Sequence, residues 1–208
     1  MNVARSRMNH RSRQQERCMA NVLTPDRFLM MPWANGGGRT LELYRLPHPE
    51  RRDAFALRMS VAEVAQGGPF SHFAGVDRWL GLLEGEGMAL SLADGRQLTL
   101  DAPGQVVAFT GEIGTQCRLL GGPLHDCNLM LARDWGRGDL SRLSPADGET
   151  VRLAVADMAL LYLQLGEWRC EGEALPDGGL LLLERESVSL SASGGAVAWL
   201  AIVHRLAA

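Results

Sequence analysis

The sequence predicts an all-β protein built as two barrels, on three observations. Apolar and polar residues alternate with period 2 from residue 40 onward, as in half-buried strands. The alternating runs are short and punctuated by glycine, proline and aspartate, as in sandwiches and barrels. Strand-length runs continue beyond a loop at Ser144-Pro145-Ala146-Asp147-Gly148, so β structure lies on both sides of it. The expected organisation is a basic extension over residues 1–21, a first barrel over 22–140 and a second over 141–208, the two packed as one compact unit. A single long sandwich is the alternative.

Each element follows from local chemistry. Thr24-Pro25-Asp26 is a helix start, with a capping hydroxyl and a proline at the first helical position. The pattern ends at Met31-Pro32, so the helix is short. Met31 to Thr40 carries three consecutive glycines, Gly36, Gly37 and Gly38, which implies close backbone approach or positive φ. Leu41 to Tyr44 then alternates as a strand. Phe55, Leu57, Met59 and Val61 line one strand face, with Ala56, Arg58, Ser60 and Ala62 on the other. Met88, Leu90 and Leu92 alternate before the hairpin signal Asp94-Gly95, and Leu98 and Leu100 follow it. Ala102-Pro103-Gly104 is a further turn. After the loop come Val151 to Ala156, Leu160 to Leu165, Leu180 to Leu183, Val188 to Leu190 and Val197 to Val203. A Pro-Asp-Gly turn spans Leu175 to Gly179.

Composition narrows the function classes. The chain of 208 residues is 46% hydrophobic and 22% charged, an ordinary soluble globular balance. A net charge of −3 supplies no field that would draw it to nucleic acid or an anionic membrane. All 21 basic side chains are arginine. No apolar run is long enough for a membrane span. Residues 1–21 hold five arginines but no hydrophobic middle region, so they read as a disordered extension and not a secretory signal. The expected location is the cytoplasm. Cys18, Cys117, Cys127 and Cys170 have no metal-ligand spacing and read as buried small hydrophobes without chemistry.

The candidate site is polar but small. Arg58 and Ser60 leave one strand face beside Ala56 and Ala62, which leaves room next to a guanidinium. Such an arginine either grips a carboxylate bidentately or pairs with a local acid such as Glu42 or Glu63. Ser71 and His72 offer hydrogen bonds between the apolar walls Phe70 and Phe73, the usual make-up of a small-molecule site. Trp33 and Asn35 precede the glycines, whose amides could hold an oxyanion. That run has neither a Walker nor a Rossmann spacing. Asp126 and Asn128 share a strand face and either brace Arg58 or fix barrel register. Asp77 and Arg78 read as a surface ion pair. Ser71 and His72, adjacent on a strand, point apart, so no nucleophilic pair is marked.

Four segments together resemble the HutD/Ves family: Pro32-Trp33-Ala34-Asn35-Gly36-Gly37-Gly38, Arg58-Met59-Ser60, Gly68-Pro69-Phe70-Ser71-His72-Phe73-Ala74-Gly75-Val76-Asp77-Arg78, and Asp126-Cys127-Asn128-Leu129-Met130. The resemblance covers roughly residues 22 to 135 and weakens afterwards. It implies a bicupin, an RmlC-like double barrel, associated with histidine utilisation and binding a formylated glutamate or urocanate to tune catabolic flux. Ala34 departs from the basic residue the pattern would carry. Where cupins place two metal-binding histidines this chain has His72 and Ala74, and the second motif near Pro103 to Phe109 offers no histidine. One histidine does not make a metal site.

The resulting expectation is a non-catalytic protein without metal or other cofactor that binds a small carboxylate. Trp33, Asn35, Arg58, Ser60, Phe70, Ser71, His72, Asp126 and Asn128 form its pocket. Nucleic acid and membrane are not expected partners, and a homodimer is compatible with the sequence. The alternatives are a metal-independent enzyme acting on a small organic acid in the same pocket, and a stress-response protein of the Ves branch.

Overall fold

The structure, a computed structural model, describes residues 22–207. The expected basic extension, with Cys18, lies outside the described residues. Two units emerge from the pattern of contacts: one formed by residues 28–141 and 203–207, the other by 22–27 and 142–202.

The first of these is two β-sheets. Its larger sheet has the order β2 (Leu29–Pro32), β3 (Gly38–Pro47), β4 (Phe55–Val64), β11 (Leu124–Ala132), β6 (Val76–Glu84) and β9 (Val106–Thr110). The smaller has the order β5 (Gly68–Pro69), β10 (Thr115–Leu119), β7 (Met88–Leu92) and β8 (Gln97–Leu100). Side chains from both sheets meet in one core: Val64, Leu80, Leu82, Phe109 and Leu124 from the larger sheet, Met88, Leu90, Leu92, Leu100 and Cys117 from the smaller. Met88, Leu90, Leu92 and Leu100 are residues whose alternation marks the strands, because a period of 2 sends every second side chain to one face. The Asp94-Gly95 hairpin joins β7 to β8, with Gly95 at φ 91° and the Asp94 carboxylate accepting from the Arg96 amide. Gly104 at φ 98° makes the turn after β8.

The glycine run answers to two requirements. Gly36 has φ 70°, where an L side chain is strained. A Cβ on Gly38 would stand 2.2 Å from the Glu63 carbonyl oxygen and 3.1 Å from the Trp33 ring. Gly37 lies between them, and its carbonyl accepts from both the Ala65 and Gln66 amides.

The other unit holds β1 (Val22–Leu23), β16 (Leu180–Glu184), β14 (Met158–Cys170) and, as far as Ile202, β17 (Ser187–Arg205) side by side, with β13 (Thr150–Ala154) on β17 and β15 (Glu173–Ala174) on β14. The remaining strand, β12, covers Gly136–Leu143. Ala159, Leu161, Leu163, Trp168, Leu181, Leu183, Leu190 and Ala198 fill this unit's core.

Three local expectations change. The helix after Thr24 is a single 3₁₀ turn, Pro25–Arg27, because Leu29 already pairs into the sheet. Val188 to Leu190 and Val197 to Val203 are one strand of 19 residues, β17, that bends through Gly194 and Gly195 at positive φ without breaking. Cys117 and Cys127 are free and buried, as inert thiols should be, whereas Cys170 is disulfide-bonded. Among the described residues no helix is long and apolar enough to cross a membrane.

Candidate functional site

Antiparallel register builds the site in the larger sheet of the first unit. On β11, Met130 faces Arg58 of β4 on one side and Arg78 of β6 on the other. Asn128 stands between Ser60 and Leu80, and Asp126 between Ala62 and Leu82. On β3, Glu42 faces Ser60 and Thr40 faces Ala62. Facing partners in register share a pleat face and residues two apart on one strand do too, so all these side chains leave the same face. A cavity of about 390 Å³ opens there.

Eight of the nine side chains expected in a pocket line this cavity: Trp33, Asn35, Arg58, Ser60, Phe70, Ser71, Asp126 and Asn128. His72 does not. It is exposed and absent from the lining. Two further expectations fail on geometry. The Gly36 amide donates to the Trp33 carbonyl and the Gly37 amide to Asn35 Oδ1, so both N–H groups are spent inside the loop and cannot cradle an oxyanion. Asp77 and Arg78 are not a surface pair: Asp77 bonds Arg133 at 3.0 Å, while Arg78 points the opposite way into the cavity.

Arg78 is the main residue that sequence reasoning missed. It is 7% exposed and lies under three aromatic rings, with its guanidinium carbon 4.9 Å from the centroid of Phe70, 5.2 Å from Phe109 and 5.8 Å from Phe73. Cation–π attraction of this kind strengthens when the pair is desolvated. Arg78 Nη2 donates to Asn128 Oδ1 at 2.9 Å, and Asn128 Nδ2 donates in turn to Asp126 Oδ1. Arg78 Nε, also buried, has no partner among the described residues. The signal was present in the sequence, since Arg78 is in phase with the core residues Leu80 and Leu82.

Burial governs the ionisation here. It lowers the Arg78 guanidinium to about 10, with Asp126 opposing the shift and Arg58 adding to it. It raises the Asp126 carboxyl to about 7, and the positive charge of Arg78 holds back a larger rise. Arg58 Nε donates to Glu42 Oε2 at 2.6 Å, in a pair whose side chains are 15% and 12% exposed. That is the only side-chain hydrogen bond Arg58 makes among the described residues, so its two terminal nitrogens remain available to the cavity. The two alternatives for Arg58, local ion pair and cavity group, are therefore both realised on one guanidinium. Trp33 Nε1 donates to Thr40 Oγ1 at 2.8 Å and fixes the indole as a wall. Among the described residues no three His, Cys, Asp or Glu side chains converge as a metal ion would require.

Fold and site together define a cupin-type β protein with an arginine-lined cavity. The HutD family model matches residues 26–200, and the chain belongs to the HutD family. An uncharacterised 21.2 kDa protein encoded in the hutC 3′ region of Pseudomonas putida is 40% identical over 132 residues, covering 64% of this chain and 67% of that one. Among solved structures, the conserved protein of unknown function PA5104 from Pseudomonas aeruginosa PAO1 is 30% identical with a TM-score of 0.77. HutD from Pseudomonas fluorescens SBW25, determined in a formate condition, is 27% identical with a TM-score of 0.74. Each comparison covers 89% of this chain and 98% of the other. At the level of fold alone the chain is also similar to the bacterial pirin YhhW of Escherichia coli, at 12% identity and a TM-score of 0.66 over 86% of this chain and 96% of that one.

Proposed function

We propose that this protein is a non-catalytic cytoplasmic binding protein for a small carboxylate, of the formylglutamate or urocanate class, and that it tunes histidine utilisation. One observation carries the reading: Arg58 is tethered through Nε alone, leaving its terminal nitrogens unbonded beside a cavity of about 390 Å³. A guanidinium held by one edge presents the other as a preorganised fork for a carboxylate. The volume suits a small organic acid, and the mix of Phe70, Phe73, Trp33 and Met130 with a few aimed polar groups is typical of ligand sites. The hutC-region relative and the HutD structure connect the family with histidine-utilisation genes.

Isothermal titration of the protein with formylglutamate and urocanate tests this. Arg58→Ala should weaken binding of the preferred acid at least tenfold, the order expected for a charged hydrogen-bond pair. Absence of binding by both acids, or an Arg58→Ala protein that binds as well as the parent, would overturn the reading.

A second reading has its own support. Asp126 is a buried carboxyl titrating near neutrality in the cavity wall, a property suited to proton transfer. On that reading the protein is a metal-independent enzyme acting on the same acid. Incubation with each acid followed by mass spectrometry distinguishes the two, since only an enzyme would change the ligand's mass or isomer.

A further inference from the structure

The cavity contains more cationic capacity than one carboxylate fork requires. Arg78 lies across Met130 from Arg58, on the same pleat face and along the same cross-strand row. It is buried, lines the cavity, and carries an Nε–H with no partner among the described residues. A buried unsatisfied donor on a charged group is costly, and an acceptor brought by a ligand removes that cost.

Charge balance adds a second constraint. Three ionisable side chains line the cavity, Arg58 on β4, Arg78 on β6 and Asp126 on β11, and a fourth, Glu42 on β3, is paired to Arg58. Two thiols also interact with Asp126, Cys117 on the facing sheet and Cys127 beside it on β11; burial pushes the Cys117 thiol up to about 11 and the Cys127 thiol well above its usual range, so both stay neutral. His125 and Cys127 flank Asp126 in sequence but point to the opposite face, where His125 pairs with Glu84 at 2.6 Å. With both acids ionised, the two arginines and two carboxylates sum to zero. Every carboxylate that enters then leaves one uncompensated negative charge in a desolvated site, unless an acid already there is neutralised. Glu42 is fixed to Arg58 at 2.6 Å, so Asp126 is the group free to respond.

We infer that a carboxylate entering this cavity is held by Arg78 as well as Arg58, and that Asp126 takes up one proton as it docks. The inference rests on the anion-binding reading above and adds a second anchor and a linkage to pH. The proton comes from the buffer and adds to the carboxylate oxygen that Asn128 does not engage; no other bond is made or broken. Neutral Asp126 still accepts from Asn128 Nδ2, so the Arg78–Asn128–Asp126 chain survives the change. A site that binds anion and proton together responds to cytoplasmic pH as well as to ligand concentration. That Asp126 titrates near 7 puts this response in the neutral range.

Calorimetric titration with formylglutamate in buffers of different ionisation enthalpy measures the protons exchanged on binding. Formylglutamate suits the purpose because its two carboxyls have no transition between about pH 6 and 9. The expected result is an uptake of about half a proton at pH 7, rising toward one at pH 8.5, with affinity falling up to tenfold per pH unit above 7. His72→Ala should retain this uptake, since His72 lies outside the cavity, and Asp126→Asn should abolish it. Arg78→Lys, which keeps the charge but removes the Nε donor and the planar fork, should weaken binding about tenfold while preserving proton uptake. Tight binding with no buffer dependence in the unmodified protein would overturn the proton linkage and leave the anion-binding reading standing. Equal affinity of folded Arg78→Lys would overturn the second anchor. Absence of formylglutamate and urocanate binding would remove both readings together. If either variant fails to fold, the buffer dependence of the unmodified protein still decides the linkage.

Discussion

Asp126→Asn in the ligand-free protein tests the electrostatics of the site without assuming any ligand. The carboxyl titrates at about 7 in the folded protein against about 3.9 in an unfolded chain. The folded state therefore holds more protons than the unfolded state between about pH 4 and pH 7, and stability falls as pH rises through that window. Between pH 5 and pH 8 the group passes through its folded transition, and the two units from pH 5 to 7 carry nearly all of the loss. At 1.36 kcal/mol per unit this is roughly 3 kcal/mol. Asparagine can occupy the same position and bond Asn128, but it does not titrate. Urea unfolding of both proteins at pH 5 and pH 8 yields four free energies. The difference between parent and variant should shift by roughly 3 kcal/mol between the two pH values, in the direction that favours the variant at pH 8. Other titrating groups cancel in that double difference. A difference that is the same at both pH values within about 0.5 kcal/mol would refute the claim that burial holds this carboxyl near neutrality.

Other outcomes follow from the same geometry. Gly38→Ala should lower the melting temperature clearly, because its Cβ would sit 2.2 Å from the Glu63 carbonyl, whereas Gly68→Ala, with nothing within 4 Å, should change it little; equal melting temperatures would contradict the close-approach account. Arg133→Ala, which removes surface ion pairs with Asp77 and Glu112, should change unfolding free energy by less than about 1 kcal/mol. A large loss would mean that this pair, rather than Arg78, is the important charge of the segment. Cys117 and Cys127 should resist a thiol reagent at pH 8 in the native protein and react once it is unfolded, since burial raises both thiols. Rapid native labelling at either position would show that the sheet opens there.

Much of the barrel was legible because strand alternation, hairpin glycines and proline turns are local. Met88, Leu90 and Leu92 are buried as their spacing requires, and Asp94-Gly95 turns where its chemistry says. The short helix and the split of β17 were misjudged for a common reason. Sheet pairing takes in Leu29 soon after the capping signal, and Gly194-Gly195 bends a strand that its neighbours keep continuous. Tertiary pairing outweighs local stop signals wherever a ladder can continue.

At the site the division between sequence and structure is sharper. Sequence alone determined which side chains share a face: Arg58 with Ser60, and Asp126 with Asn128, because period 2 is a property of the extended chain. It also determined that Gly36 to Gly38 needed unusual backbone, because that constraint is steric and local. Only tertiary structure decided that Arg78, next to an aspartate, belongs beneath three aromatic rings and not to the surface. The partners that settle it, Phe70, Phe109 and Asn128, are 8, 31 and 50 positions away along the chain. Register between strands brings them together, and with them the low dielectric that shifts Asp126 toward neutrality.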